Sequence, residues 1–155
     1  MQLEYHGNRE LLKRHKVGFL SSRQVGSKAV LPSYDWATRP PNAEEVTVGG
    51  FQTPLEQELL SFLLQSGHSV IVVLARKIYR ELPANWIEPI NSGQMLLIST
   101  APKAVRVGRE AALARNQFIA TLCDQLLFGY IAPESSLQNL YHEHQHKSTL
   151  LTPTL

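Results

Sequence analysis

Only one cysteine, Cys123, occurs in 155 residues. An internal disulfide is therefore excluded, and the count suits a reducing compartment. With Leu122 and Leu126 beside it, and no His or basic side chain near it in sequence, Cys123 is expected to be a buried, inert thiol. Long apolar runs are missing too. None approaches the roughly 20 residues that a membrane-spanning helix needs, so no membrane association is expected. The opening MQLEYHGNRELLKRHK is too charged for the apolar core of a secretory leader, and a cytoplasmic protein is the expectation. Net charge is small: 15 Lys and Arg against 13 Asp and Glu leave a formal +2. That argues against a broad electrostatic grip on a nucleic-acid backbone but leaves room for a local basic patch. Two glycine signatures of nucleotide binding are absent as well. The chain has no Gly-x-Gly-x-x-Gly and no Gly-Lys-Ser/Thr.

What remains is an ordinary globular composition, 43% hydrophobic and 18% charged. It is enough for a single domain over residues 1–155 with a full core. Continuous apolar runs occur at Val17–Leu20, Val46–Val48, Val70–Ala75, Met95–Ser99 and Leu126–Ile131. Their length and lack of alternation suit strands buried on both faces. Helical patterns lie between them. PLEQELLSFLLQSG places Leu55, Leu59, Phe62 and Leu63 on one face, with Gly67 as a stop. A turn of helix is expected at 33–38, a short Pro-containing helix in NWIEPINSG, a longer one over 108–123, and a final one in 134–146. Residues 147–155 read as a frayed tail. The alternation predicts an α/β fold: a Rossmann-like three-layer sandwich with a mainly parallel sheet of about five strands.

In such sheets ligands settle at the carboxyl ends of the strands. Ser21-Ser22-Arg23 follows the first strand, and Gly49-Gly50-Phe51-Gln52-Thr53-Pro54-Leu55-Glu56 follows the second. Thr53 is a good N-cap, Pro54 suits the first helical position, and Glu56 completes a capping box. The two glycines allow unusual backbone angles and close approach of a ligand. A phosphate could dock on the helix N-terminus, although a plain capped turn explains the same residues. Arg23 and Arg76 fall at the same edge of the predicted sheet. Arg115 and Asn116 sit in the middle of an otherwise apolar helix, Arg115 sharing a face with Ala111, Ala112 and Ile119. A guanidinium there must snorkel past the alanines or meet an anion. The duller alternative pairs Arg115 with Glu110 or Asp124.

GHSVIVVLARKIYRELPANW, GQMLLIS and RNQFIATLCDQLLF together resemble the Rossmann-like domain of the DNA-processing protein A (Smf) family, itself related to the "Lonely guy" phosphoribohydrolases. The likeness covers about residues 16–140. The family's Gly-Ser-Arg is matched by Ser21-Ser22-Arg23, its Ile-Tyr, Pro and Asn by Ile78-Tyr79, Pro83 and Asn85, and its Arg-Asn helix start by Arg115-Asn116. Ser135-Ser136-Leu137 echoes a Ser-rich turn. The family's Ser-Gly, Gly-Ile-Asp and Ala-His motif is replaced by Gly49–Glu56, which nearly matches the phosphoribohydrolase Gly-Gly-x-Gly-Thr-x-x-Glu. The reading of the strand ends together with the resemblance gives Ser21, Ser22, Arg23, Gly49, Gly50, Thr53, Arg76, Arg115 and Asn116 as an expected phosphate-facing rim. Arg115 would pair with a phosphate, and Asn116 would hydrogen-bond the surrounding loops.

Binding of a nucleotide or nucleotide-derived ligand is therefore expected, in DNA uptake, recombination or nucleotide signalling, with no cofactor and no metal. Two alternatives stay open. One is a hydrolase of nucleoside monophosphates using Glu56; the other is an accessory protein that binds single-stranded DNA. A homodimer also stays open. Asp35 with Glu56 is a candidate carboxylate pair, and Trp36, Trp86 and Tyr79 are candidate base stackers. His142, His144 and His146 would share one face of a strand but not of a helix, and a solvated tail is expected there rather than zinc.

Overall fold

The computed structural model describes residues 2–23 and 27–151. In chain order its strands are β1 (Glu4–Gly7), β2 (His15–Leu20), β3 (Glu45–Gly49), β4 (Val70–Leu74), β5 (Met95–Ser99), β6 (Gln125–Phe128) and β7 (Ser148–Leu150). Its α-helices are α1 (Ser27–Ala37), α2 (Pro54–Gln65), α3 (Ala84–Asn91), α4 (Arg109–Leu122) and α5 (Ser136–Glu143). One sheet holds all these strands in the order β1-β5-β4-β3-β2-β6-β7. β2 to β7 run parallel, and β1 joins β5 antiparallel.

The five apolar runs become β2 to β6, and the sheet is wider than the five strands expected. The two additions are its edges. β1 and β7 are four and three residues long and carry no fully buried side chain. Neither has an apolar run to betray it. β7 falls in the stretch expected to fray, where parallel pairing with β6 holds it. Lys147 Nζ donating to Cys123 O at 2.7 Å, and Leu151 N to Phe128 O at 2.9 Å, secure that edge. α1 is also longer than the single turn expected. Pro32 lies inside it, and Ser33 Oγ donates to Ala29 O at 2.7 Å. β6 stops at Phe128 rather than reaching residue 131.

Burial on both sides explains the unbroken apolar runs. Val46, Val48, Ile71, Val73, Leu96 and Ile98 face a core closed by Ile119 and Ala120 of α4 and Leu137 and Leu140 of α5. The alternate residues Val70, Val72, Leu74, Met95 and Leu97 face a second core with Trp36, Leu59, Leu60, Leu63 and Trp86. Helices α1, α2 and α3 thus cover one face, and α4 and α5 the other. Cys123 lies in the first core as expected, its thiol pushed up by burial to about 12. No helix among the described residues is long and apolar enough to cross a membrane.

The topology fixes where a ligand can sit. β3, β4 and β5 are laid down successively to one side of β2. The chain then returns to place β6 and β7 on the other side. The helices leaving β2 and β6 cover opposite faces, so a crevice opens between the carboxyl ends of these two adjacent strands.

Candidate ligand-binding site

Two clefts lie side by side along the carboxyl edge of the sheet. The larger, about 600 Å³, sits over the β2–β6 crevice. It is lined by Ser21, Ser22 and Arg23 after β2, by Thr53 and Glu56 at the start of α2, by Gly108, Arg109, Arg115 and Asn116 of α4, and by Ser135 and Ser136 at the start of α5. The smaller, about 300 Å³, lies over β3 and β4, with Gly50, Phe51, Arg76, Tyr79 and Trp86 in its walls. Gln52, Val107 and Arg115 line both.

Arg115 is the centre of the arrangement. Side chains on a helix tilt toward its N-terminus, so Arg115 reaches from the second turn of α4 up to the strand ends. It is 8% exposed. Nη1 donates to Gln52 Oε1 at 2.7 Å and Nε to Asn116 Oδ1 at 3.3 Å. Among the described residues no carboxylate comes within ion-pair distance of it. Asp124 instead lies 3.8 Å from Lys16 Nζ and accepts from Lys16 N at 2.8 Å, and Glu110 makes no ion pair among the described residues. Burial lowers the guanidinium pKa, opposed by the charge of Glu56, but an Arg stays protonated in proteins. The chain thus buries a cation whose hydrogen-bond partners are amide oxygens, with the Glu56 charge acting on it through space.

Gly49 and Gly50 serve the site in a way the sequence did not suggest. Neither is the strained residue of the turn: the positive φ, 47°, falls on Phe51. A Cβ on Gly49 would stand 2.9 Å from the Phe51 ring, and one on Gly50 would stand 2.9 Å from Arg115 Cζ. The glycines make room for a ring and a guanidinium. Gly49 lies beneath the ring and is not among the lining residues of either cleft.

Thr53 and Glu56 form the expected capping box. Glu56 N donates to Thr53 Oγ1 at 3.3 Å, and Glu56 Oε1 accepts from Thr53 N at 3.2 Å and Thr53 Oγ1 at 2.9 Å. Burial pushes the Glu56 carboxyl above its ordinary range, against the pull of the Thr53 bonds and the Arg115 charge. The N-termini of α4 and α5 are capped differently. Gly108 has no side chain to cap α4, and Ser135 makes no capping bond to α5. Ser135 Oγ is buried without a hydrogen-bond partner among the described residues. Two helix N-termini with no side-chain cap thus border one cleft.

Of the expected rim residues, Ser21, Ser22, Arg23, Thr53, Arg115 and Asn116 meet in the larger cleft, while Gly50 and Arg76 lie in the smaller. Ser22 N donates to Tyr130 O at 2.7 Å and Ser22 Oγ accepts from Ala132 N at 2.8 Å, joining the loops after β2 and β6. Asn116 holds Arg115 rather than the loops expected of it. Arg76 donates from Nε to Lys77 O and stacks over Tyr79 at 4.2 Å. Trp36 stacks on Phe19 in the second core, away from both clefts, whereas Trp86 and Tyr79 line the smaller one. Asp35 lies on the exposed face of α1 and lines neither cleft. No cluster of His, Cys, Asp and Glu able to hold a metal occurs among the described residues, the His142–His146 segment included.

Gln52, Gly108, Arg109, Ser135 and Ser136 were not singled out as rim residues from the sequence. Gly108 and Ser135 are cap-type residues at the starts of helices that begin at the carboxyl edge, and that was the available signal. The small net charge also conceals a polarity. The loops after the strands carry Arg23, Arg76, Lys77, Arg80, Lys103 and Arg106 against only Glu81 and Glu134.

The sheet order, the switch-point cleft and the cationic edge define an open α/β protein of the Rossmann-like class. The chain belongs to the DNA recombination-mediator protein A family, whose model matches residues 1–137. DNA processing protein A from Streptococcus pneumoniae superposes with a TM-score of 0.72 at 20% identity, over 96% of this chain and 53% of that one. DNA processing protein A from Helicobacter pylori, described for its single-stranded DNA binding mode, superposes with a TM-score of 0.75 at 19% identity, over 99% of this chain and 73% of that one. The molybdenum cofactor carrier protein of Chlamydomonas reinhardtii is more distant, at 0.50 and 10%, over 88% of this chain and 89% of that one. The chain spans about half the length of the pneumococcal protein. No curated protein sequence matches it.

Proposed function

We propose that this domain binds a phosphate-bearing nucleotide unit in the larger cleft, either as a free nucleotide or as part of single-stranded DNA, in a DNA-processing role. One observation carries this: among the described residues the buried Arg115 makes no direct ion pair, Glu56 acting on it only through space, and it shares a cleft with two helix N-termini that lack side-chain caps. A guanidinium and bare main-chain N–H groups together are the ordinary means of holding a phosphate. Ser22 keeps its hydroxyl proton for a further bond, since its oxygen acts as acceptor toward Ala132. Family membership and the single-strand binding named for the Helicobacter protein support the oligonucleotide source. The cationic loops supply attraction without demanding a long backbone track.

A thermal-shift titration with ribose 5-phosphate, adenosine 5′-monophosphate and a thymidine decamer tests the assignment. A ligand at 100 times its Kd adds about 2.7 kcal/mol of apparent stability. A response to the decamer alone would place the source in DNA; a response to the monophosphates as well would place it in free nucleotides. A grip on about two phosphates also predicts a log K against log salt slope of about −1.4 for the decamer. No shift with any of the three would remove the proposal.

A second activity has one observation in its favour. Glu56 borders the same cleft with its carboxyl pKa raised by burial. A carboxylate so placed could act as the acid–base group in N-glycosidic hydrolysis of a nucleoside monophosphate. Release of free base by the native chain but not by Glu56→Gln, with binding retained in both, would establish it.

A further inference from the structure

Resting on the phosphate-binding assignment above, we infer that the smaller cleft takes the base of the same nucleotide unit. The ligand then straddles the Gln52–Arg115 bond, with its phosphate on one side and its ring on the other. The two clefts differ in chemistry and share a wall. Hydroxyls, a cation and helix ends line the larger. The floor of the smaller is apolar, made by Phe51, Leu60, Leu74 and Trp86, each 9% exposed or less. Phosphate gains nothing from such a floor, whereas a planar heterocycle can lay one face on it. The wall is stiff. Tyr79 packs edge-on against Trp86 with centroids 5.9 Å apart, and Arg76 lies 4.2 Å over the Tyr79 ring.

One exposed polar side chain at the cleft can turn to a base edge. The Asn85 amide lines the cleft with no hydrogen-bond partner among the described residues, and an amide offers both a donor and an acceptor. At about 300 Å³ the cleft lies at the lower bound of small-molecule sites, a fit for one ring system rather than for a peptide. Arg115 and Gln52 line both clefts, so a sugar crossing between them would pass directly beside their hydrogen bond.

Trp36 and Trp86 are the two tryptophans, so Trp36→Phe leaves Trp86 as the sole indole reporter. Adenosine 5′-monophosphate should quench Trp86 fluorescence on binding, whereas ribose 5-phosphate should bind without quenching it. The nucleotide should also bind about tenfold more tightly than ribose 5-phosphate, from stacking of its base. Ser61→Phe, on the α2 wall of the smaller cleft, should erase that tenfold difference in the otherwise native chain while leaving ribose 5-phosphate affinity unchanged. It decides the matter should Trp36→Phe fail to fold. Equal affinities with a silent Trp86, or a tenfold preference that survives Ser61→Phe, would overturn the base site and leave phosphate binding standing. Where the thymidine decamer alone binds, a decamer that leaves Trp86 fluorescence unchanged would overturn the base site; failure of all three compounds to bind would overturn both assignments.

Discussion

Replacing Arg115 by Met separates a cation kept for a ligand from one kept for the fold. Met preserves most of the buried stem and removes only the charged head. The structure sets the cost. Among the described residues the guanidinium makes one good bond, 2.7 Å to Gln52, and one long one, 3.3 Å to Asn116. A hydrogen bond to a charged group contributes roughly 1.5–3 kcal/mol. Gln52 is exposed and can turn to water once its partner is gone. The desolvation carried by a buried cation is relieved at the same time, and the buried Glu56, which loses a favourable charge nearby, can take up a proton instead. The net loss of stability should therefore be about 1 kcal/mol. Had Arg115 been one half of a buried ion pair, removing it would cost roughly 3–5 kcal/mol. Affinity should fall much further. Losing a charge-assisted bond to phosphate, about 2–3 kcal/mol, weakens binding by roughly 30- to 150-fold. Urea unfolding read beside a ribose 5-phosphate titration measures both. A variant destabilised by more than about 3 kcal/mol that binds with native affinity would refute the reasoning.

Gly50→Ala places a methyl 2.9 Å from Arg115 Cζ, at the far end of a flexible side chain. Its unfolding midpoint should barely change, while phosphate affinity falls as the guanidinium is pushed aside. Gly18→Ala should behave oppositely. Its Cβ would meet Cys123 Sγ and Leu126 Cδ2 at 2.9 Å in the core, costing roughly 1–3 kcal/mol in chemical denaturation with ligand affinity unchanged. Glu56 should make anion binding depend on pH. Its folded pKa is raised, so the stability it contributes is present below its unfolded pKa and lost as pH rises through the folded one. Phosphate affinity should rise as pH falls through that raised pKa, and Glu56→Gln should flatten the dependence. Cys123 should resist a thiol reagent in the native chain and react once urea unfolds it, because burial keeps it protonated and covered.

The parts of the fold readable in the sequence were those with strong local patterns. Met95–Ser99 is uninterrupted and buried throughout, and it forms a strand over those same residues. The Thr53 capping box needed only the spacing of a threonine, a proline and a glutamate. β1 and β7 were hidden because edge strands of three or four residues are fixed by their neighbours rather than by their own side chains. The sequence reads as a single turn at 33–38, whereas α1 starts at Ser27 and carries Pro32 in its second turn. In the site, Arg115 stood out as a misfit among apolar residues. The roles of Gly50 and Gln52 could not be seen, since both depend on a guanidinium arriving from a helix more than sixty residues away.

The Ser22 hydroxyl has a thermodynamic corollary. By accepting from Ala132 N, and with Ser22 N bonded to Tyr130 O, it welds the two banks of the crevice together before any guest arrives. Association then need not freeze two independent loops, and the entropy of ordering them is settled during folding. Ser22→Ala should unfasten one of these bonds, so that calorimetry records a larger entropic penalty on binding while the sheet beneath stays intact.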